Sequence, residues 1–456
     1  MIDEKEMVPY MAGEQWKSKI GFILAAAGSA IGLGAVWKLP YVAGTSGGGA
    51  FFLVFLVFTL LLGTSLLLAE FVIGRKTQKP PIQAYKELAP GTPWYWVGIL
   101  GIISSCLILS FYAVVGGWIL TYFIRSLTGG LTDPPEGNYG ILFESIISNH
   151  WEVGAAHLGF IVITILIVQG GIQKGIERAS SIMMPALFII FIVLVVRSLT
   201  LDGAMEGVRF FLQPDLDSLD GQTILFALGQ AFFSLSLGVS IMVTYSSYLS
   251  KKESLVRSAS SIVGLSILIA FLSGLAIFPG VFAFDLEPNE GPSLIFTVLP
   301  AVFNEMALGS LFFTLFLLLL LFATLTSAFS LLEIVVSSVS HSNPGRRRIA
   351  AWAGGLGIFI LGIPSNLSYG LLSEWLIFGD IFFNQIDFLV SNILLPVGAL
   401  CIAVFASYFI KRSELREELL RGSSLGSGFF STWLVLIRYI TPLAIIAAFL
   451  HVLGVW

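Results

Sequence analysis

Between Gly21 and Gly49 the chain reads GFILAAAGSAIGLGAVWKLPYVAGTSGGG, apolar enough to enter a bilayer and repeatedly interrupted by glycine. Gly28, Gly32 and Gly34 fall within Gly28-Ser-Ala-Ile-Gly-Leu-Gly34, and Pro40 follows. Each interior glycine costs a helix about 1 kcal/mol relative to alanine. Two helical pieces joined by an unwound segment would explain the pattern. Non-helical backbone at membrane depth survives only where it is buried in protein or lines a cavity. Its free carbonyls can hold a cation there, and the N-terminus of the second piece can hold an anion. A glycine-rich helix packed closely on its neighbours accounts for this stretch equally well.

The rest of the chain decides the class. Of 456 residues, 56% are hydrophobic and 11% charged, where a soluble domain carries about 25% charged residues. This is a polytopic membrane protein. About twenty apolar residues span a bilayer, which gives roughly eleven spans, near 19–43, 50–73, 94–125, 155–171, 180–200, 223–249, 256–283, 310–340, 348–366, 381–410 and 430–454. The run from Asn289 to Asn304 is too short and interrupted to span, and reads as an interfacial or re-entrant helix. Cys106 and Cys401 sit in apolar runs and are expected to be buried thiols. The start, MIDEKEMVPYMAGEQWKSKIGF, has no signal-peptide layout, so the first run is expected to be a retained span.

Basic residues orient the spans. With a cytoplasmic N-terminus, Lys5, Lys17, Lys19, Arg75, Lys76, Lys79, Lys86, Lys174, Arg178, Lys251, Lys252, Arg257, Arg346, Arg347, Arg348, Lys411, Arg412, Arg416 and Arg421 lie inside. Only Lys38, Arg125, Arg197, Arg209 and Arg438 remain of the 24. The positive-inside rule thus places the N-terminus in the cytoplasm and Trp456 outside. The long outside loops are acidic, with Asp202, Glu206, Asp215, Asp217 and Asp220 in one and Asp285, Glu287 and Glu290 in another. The plasma (cytoplasmic) membrane is the expected location.

A second interrupted span, AFFSLSLGVSIMVTYSSY, runs from Ala231 to Tyr248, with Ser234, Ser236 and Ser240 around Gly238. It is the sixth span, as the first broken one is the first. Broken helices at matching places in two halves point to an inverted-repeat transporter. The expected halves are 19–200 and 223–410, after a tail of 1–18 and before an eleventh helix at 430–456.

Further residues sharpen this reading. They are Trp16, Trp37-Lys-Leu-Pro40, Gly47-Gly-Gly-Ala-Phe51, Glu70 with Gly74-Arg75, Gln230-Ala-Phe-Phe-Ser-Leu-Ser-Leu-Gly238, Thr244-Tyr245, Ala323-Thr-Leu-Thr-Ser327, Asp387 and Arg438-Tyr-Ile-Thr-Pro442. With the first glycine-rich run, and in this order, they resemble the neurotransmitter:sodium symporter family, most of all its bacterial multi-hydrophobic amino acid transporters. The resemblance covers nearly the whole chain. It implies an all-α integral membrane fold of leucine-transporter type: a 5+5 inverted repeat with helices 1 and 6 broken. It also implies sodium-coupled import of hydrophobic L-amino acids by alternating access, with two Na+ ions. The remaining expected partner is the lipid bilayer; no nucleic acid and no obligatory protein partner is expected.

The resemblance also assigns roles. Substrate would be held by Ser29, Ala30, Leu33, Gly34, Ile108, Tyr112, Phe232, Phe233, Ser234, Ser236, Val239, Ser327 and Leu331. Backbone N–H groups after Leu33 and Gly34 and the Tyr112 hydroxyl would take its carboxylate. Val239 stands where the leucine transporter has phenylalanine, leaving room for a larger ligand. One sodium site would use Gly28, Ile31 and Ala323 carbonyls with the Thr326 and Ser327 hydroxyls, oxygens that suit a hard cation. Read without the resemblance, those two hydroxyls bond back along their own helix. A second site would use Ala30, Ser234 and Ser266, with Ala35 in place of a ligating asparagine. Lys38 and Asp387 would form an outside gate, and Trp16 and Tyr248 an inside one. The family's N-terminal arginine aligns with Gly13 and its acidic partner near His341, so the inner lock must differ.

Two acids sit within spans, where charge is costly. Glu70 reads as an acceptor for N–H groups freed by the sixth-span break. Glu333 reads as solvated near the cytoplasmic end. No acid appears in SASSIVGLSILIAFLSGLA, where chloride-independent relatives carry one, so chloride dependence stays open. Gly175 and Pro185 bracket a candidate switch segment, which reads equally as an ordinary proline kink. The chain has no metalloprotease motif, no Gly-x-Ser-x-Gly, no CxxC and no phosphate loop, which argues against an enzyme. It also has no repeated filter segment, which argues against a channel. A proton-coupled permease of the same fold is the alternative.

Overall fold

An apolar chain in lipid must satisfy its own backbone, and helix is the local way to do so. The protein, described as a computed structural model over residues 14–131, 134–284, 295–341 and 344–452, is accordingly built of helices. The first crossing is a pair, α1 (Lys19–Ala30) and α2 (Gly34–Thr45), bent by 52° at the break. Next come α3 (Gly49–Thr77), α4 (Tyr95–Leu127), α5 (His150–Val168) and α6 (Ile172–Leu199). The sixth crossing is again two pieces, α7 (Gly221–Phe233) and α8 (Ile241–Ser247). Then follow α9 (Leu255–Ala283), α10 (Gly309–Ser340), α11 (Arg347–Leu367), α12 (Phe382–Phe409) and α13 (Ser427–His451). Among the described residues nine unbroken helices are long and apolar enough to span, and the two broken crossings complete the eleven expected.

The breaks have different chemistry. In the first, Ile31 leaves helical geometry at φ −87°, ψ 36° while its N–H still donates to Ala27 O at 2.7 Å. In the sixth, Ser236, Gly238 and Ser240 all take positive φ, at 53°, 89° and 58°. Only glycine accepts that region freely, so the two serines carry a steric cost that packing must offset. Glu70 on α3 does part of this. Its Oε1 accepts Gly238 N–H at 2.9 Å, and the N–H groups of Met242 and Val243 face the same carboxylate.

The broken crossings pack into a frame of unbroken ones. The α1 helix lies against α6, α9 and α10, α8 against α3, and α4 against α10. Residues 14–18 lie beside α6 and α8, which defines a tail side of the protein. The opposite end is the far side. Two expectations shift. The fifth crossing begins at Ile172 instead of 180, because Lys174 and Arg178, read as loop charges, sit on its first turns together with Glu177. The Asn289–Asn304 run yields one short helix, Val298–Glu305, and its first part lies outside the described residues. Lys5, Gly13, Asp285, Glu287, Glu290 and Trp456 also lie outside them.

Candidate functional site

Where the two breaks face each other lies a half-open cavity, with about 430 Å³ of space free of protein atoms that runs out into solvent. Ser29, Ala30, Leu33, Gly34, Ile108, Tyr112, Phe233, Ser236, Val239, Ser327 and Leu331 line it, all of them expected from the sequence. Gly32, Ile241, Ser330 and Leu395 line it as well and were not foreseen. Part of the lining is polar. Leu33 N–H donates to the Tyr112 hydroxyl at 3.2 Å, and the Ser236 hydroxyl donates to Ser29 O at 2.8 Å. Gly32 is required by approach: a Cβ there would stand 2.3 Å from Ser327 Oγ and 2.7 Å from Tyr112 Oη. The apolar part of the lining is made of Ile108, Val239, Ile241, Leu331 and Leu395, with Ala30 and Phe233.

Two expected lining residues are not there. Phe232 and Phe233 are neighbours near the end of α7, about 100° apart around its axis, so only one can face the cavity. Phe233 does; Phe232 is buried elsewhere in the core. Ser234 lies outside the lining too, its hydroxyl bonded back to Ala231 O at 3.3 Å.

The expected cation groups behave in two ways. Thr326 Oγ lies 3.0 Å from each of the Gly28, Phe322 and Ala323 carbonyls. Ser327 Oγ lies 2.9 Å from Ser29 O and 3.3 Å from Gly28 O. Two of these carbonyls belong to Thr326's own helix, the back-bonding its residue type allows; Gly28 O comes across from α1, so the acceptors outnumber the one hydroxyl proton. A hard cation fits this surplus. Ile31 sits in the break itself, where its N–H donates to Ala27 O. The second group is less coherent. Ser266 Oγ is buried with no partner among the described residues, and Ser234 is engaged with its own helix.

The outside gate also differs from expectation. Lys38 forms no ion pair with Asp387 among the described residues. Its ammonium sits 4.8 Å from the centre of the Phe233 ring that roofs the cavity, while Asp387 accepts from Ser391 at 2.8 Å. A lysine is a point charge without arginine's fork, so a ring face competes well for it. On the tail side Trp16 is wedged in place. Its backbone N–H donates to Tyr248 O at 3.2 Å and its indole N–H to Tyr245 O at 2.9 Å.

Glu333 is not solvated as expected. It is fully buried, accepts from the Tyr248 hydroxyl at 2.8 Å and pairs with Arg347 at the start of α11. Arg347 reaches Glu14 of the tail at 3.6 Å, and Glu14 accepts Ile172 N–H at 3.0 Å. The sequence reading counted Arg347 only as an orienting charge. The signal was Glu333 itself, since a buried carboxylate requires a cation or several donors. Glu177 was also missed. It accepts from Lys17 N–H at 2.8 Å, Ser18 N–H at 3.1 Å and the Ser18 hydroxyl at 2.9 Å, so from α6 it holds Ser18, whose hydroxyl caps α1 by accepting Gly21 N–H at 2.9 Å. The segment from Gly175 to Pro185 is helical throughout, π-wound over Ile172–Glu177 and α-helical beyond.

Comparison with known proteins decides the family. The pattern describing the sodium:neurotransmitter symporter family matches residues 13–134 and 142–455. The chain belongs to this family. It is similar to the uncharacterized sodium-dependent transporter YhdH of Bacillus subtilis, at 55% identity over 97% of this chain and 98% of that one. An uncharacterized sodium-dependent transporter of Methanocaldococcus jannaschii, MJ1319, is 34% identical over 96% of this chain and 90% of the relative. The crystal structure of MhsT in complex with L-phenylalanine superimposes with a TM-score of 0.90 at 42% identity, over 96% of this chain and all of that one. As a member of this family the protein is a sodium-dependent, multi-pass membrane symporter and not an enzyme. Its helices follow the fold expected above.

Proposed function

We propose that this symporter imports hydrophobic L-amino acids, aliphatic and aromatic, driven by two sodium ions. One observation carries the reading: the cavity between the breaks sets polar groups of Ser29, Leu33, Tyr112 and Ser236 in an otherwise mostly apolar lining. A zwitterionic head fits the polar groups, with its carboxylate at the Leu33 and Gly34 N–H groups and the Tyr112 hydroxyl. A hydrocarbon or aromatic side chain fits Ile108, Val239, Ile241, Leu331 and Leu395. The neighbouring structure, MhsT, was solved with L-phenylalanine, which supports the same class. Sodium would bind at Gly28, Ala323, Thr326 and Ser327, with Ile31 beside them. A second ion would bind near Ala30, Ser234 and the substrate carboxylate. The tail side is cytoplasmic on the distribution of Lys and Arg, and residues 19–200 and 223–410 are the two inverted halves.

Uptake of labelled leucine and tryptophan into proteoliposomes tests this. Uptake of both should need an inward sodium gradient and vanish when choline replaces sodium. Uptake that persists in choline and follows a proton gradient would favour the proton-coupled alternative. Sodium-driven uptake of neither amino acid would reject the substrate class.

A further inference from the structure

After α11 the chain makes tight turns and then a short antiparallel hairpin, β1 (Leu376–Ile377) with β2 (Asp380–Ile381), pairing Leu376 with Ile381. Its two-residue turn is Phe378-Gly379, at φ 51° and 87°. The first position of such a turn favours asparagine, aspartate or glycine, and a phenylalanine there is strained. The ring gains nothing from the protein in return, since Phe378 is 97% exposed. Leu371, Leu376 and Trp375 beside it are 67%, 55% and 51% exposed. In water this arrangement would lose twice, through strain and through unburied apolar area.

One contact and the surface around it set the height of the hairpin. Gly370 rests on the start of the fourth crossing: a Cβ there would stand 2.9 Å from Ser148 O. The first turn of α5 beside it carries Trp151, 79% exposed at the end of an apolar spanning helix. Aromatic residues in that position mark a membrane–water interface. On α11, just below, Ile360, Leu361 and Ile363 are open on the outer surface of a spanning helix and so face lipid. The apolar surface therefore continues from lipid-facing helix into the hairpin.

We propose that residues 371–381 lie in the headgroup layer of the far-side leaflet, with Leu371, Trp375, Leu376 and Phe378 inserted among phospholipids. The hairpin would then anchor the far ends of α11 and α12 together. Phe383 N–H donates to Ser368 Oγ at 3.1 Å across the loop, and Trp375 stacks on Phe382 at 6.1 Å.

The test uses the full chain with Cys106→Ala and Cys401→Ala, reconstituted in phosphatidylcholine–phosphatidylglycerol vesicles. A bimane on Phe378→Cys reports on the tip, one on Leu371→Cys on a site away from the strained turn, and one on Glu136→Cys on an exposed far-side loop. Lipids brominated high on the acyl chain should quench the first two at least twice as strongly as the third. Aqueous iodide should quench them less than half as well. Equal iodide quenching at all three sites, with no quenching by lipid, overturns the proposal. So does protection from iodide without lipid quenching, combined with cross-linking between Phe378→Cys copies, which would make a second chain the occupant.

Discussion

Thr326 is surrounded by more acceptors than its one proton can serve, and a cation would resolve that excess. Thr326→Val with Ser327→Ala keeps nearly the same volume and removes both hydroxyls. Sodium-driven uptake should be lost and apparent sodium affinity for ligand binding should fall at least tenfold, about 1.4 kcal/mol. Stability should fall by only about 1–3 kcal/mol, the cost of leaving buried carbonyls unpaired. A folded double variant with unchanged sodium affinity would reject the assignment. Val239 is 1% exposed in the apolar part of the cavity lining. Val239→Phe adds a ring to a packed wall, which costs typically about 1–3 kcal/mol. Binding of labelled tryptophan should weaken by about tenfold and that of leucine or valine by less; equal losses would mean that Val239 does not face the variable part of the ligand. These residues were legible through the family resemblance; read alone, Thr326 and Ser327 are hydroxyls that bond back along their own helix. Ile241, Ser330 and Leu395 were not, since a serine or an aliphatic residue in an apolar helix carries no mark of the direction it faces.

At the scale of elements, hydropathy located the crossings because bilayer thickness demands about twenty apolar residues. Glycine located the breaks. What it could not show is how α6 is used. Gly175 lies so close to α5 that a Cβ would stand 2.1 Å from Ile167 O. Pro185 leaves the turn before it without a donor. Between them Met184 lies at the back of the cation group: a Cβ on Gly28 would meet its sulfur at 3.1 Å. Unwinding this stretch would let water reach Thr326 and Ser327 from the tail side. We expect the stretch to be non-helical when the tail side is open and helical, as here, when it is closed. Gly175→Ala would also push α6 off α5, so Pro185→Ala is the cleaner variant; it should slow transport several-fold while leaving substrate binding nearly unchanged. Cysteine labelling across 176–184 reads the switch directly. Identical labelling with sodium, with sodium plus substrate, and with neither would end the idea.

Over the whole molecule, the tail side is closed by groups far apart in sequence; the resemblance pointed to Trp16 and Tyr248, but no local pattern paired Glu177, Arg347 and Glu14 with their partners. Trp16 plugs the gap between α1 and α8, Glu177 holds the α1 cap residue Ser18, and Arg347 joins α11 to Glu333 on α10 and to Glu14. Alternating access requires this closure to be reversible, so its worth must stay within a few kcal/mol of the open state. Arg347→Ala would leave the Glu333 carboxylate buried without its cation, a loss of about 3–5 kcal/mol to the closed form. A shift of about 5.5 kcal/mol carries a two-state equilibrium from 1:99 to 99:1, so the variant should spend much of its time open on the tail side. Ser180→Cys, buried at 1% exposure in the closed form, offers a reporter. In a background without Cys106 and Cys401 its labelling should speed up at least tenfold with Arg347→Ala, and uptake should fall. Adding Glu333→Gln removes the uncompensated charge and keeps an acceptor for the Tyr248 hydroxyl, so labelling should slow again towards the parent rate. Unchanged labelling in Arg347→Ala would show that the pair does not hold this side shut. Failure of Glu333→Gln to reverse the effect would assign the closure to Glu14 and the tail instead.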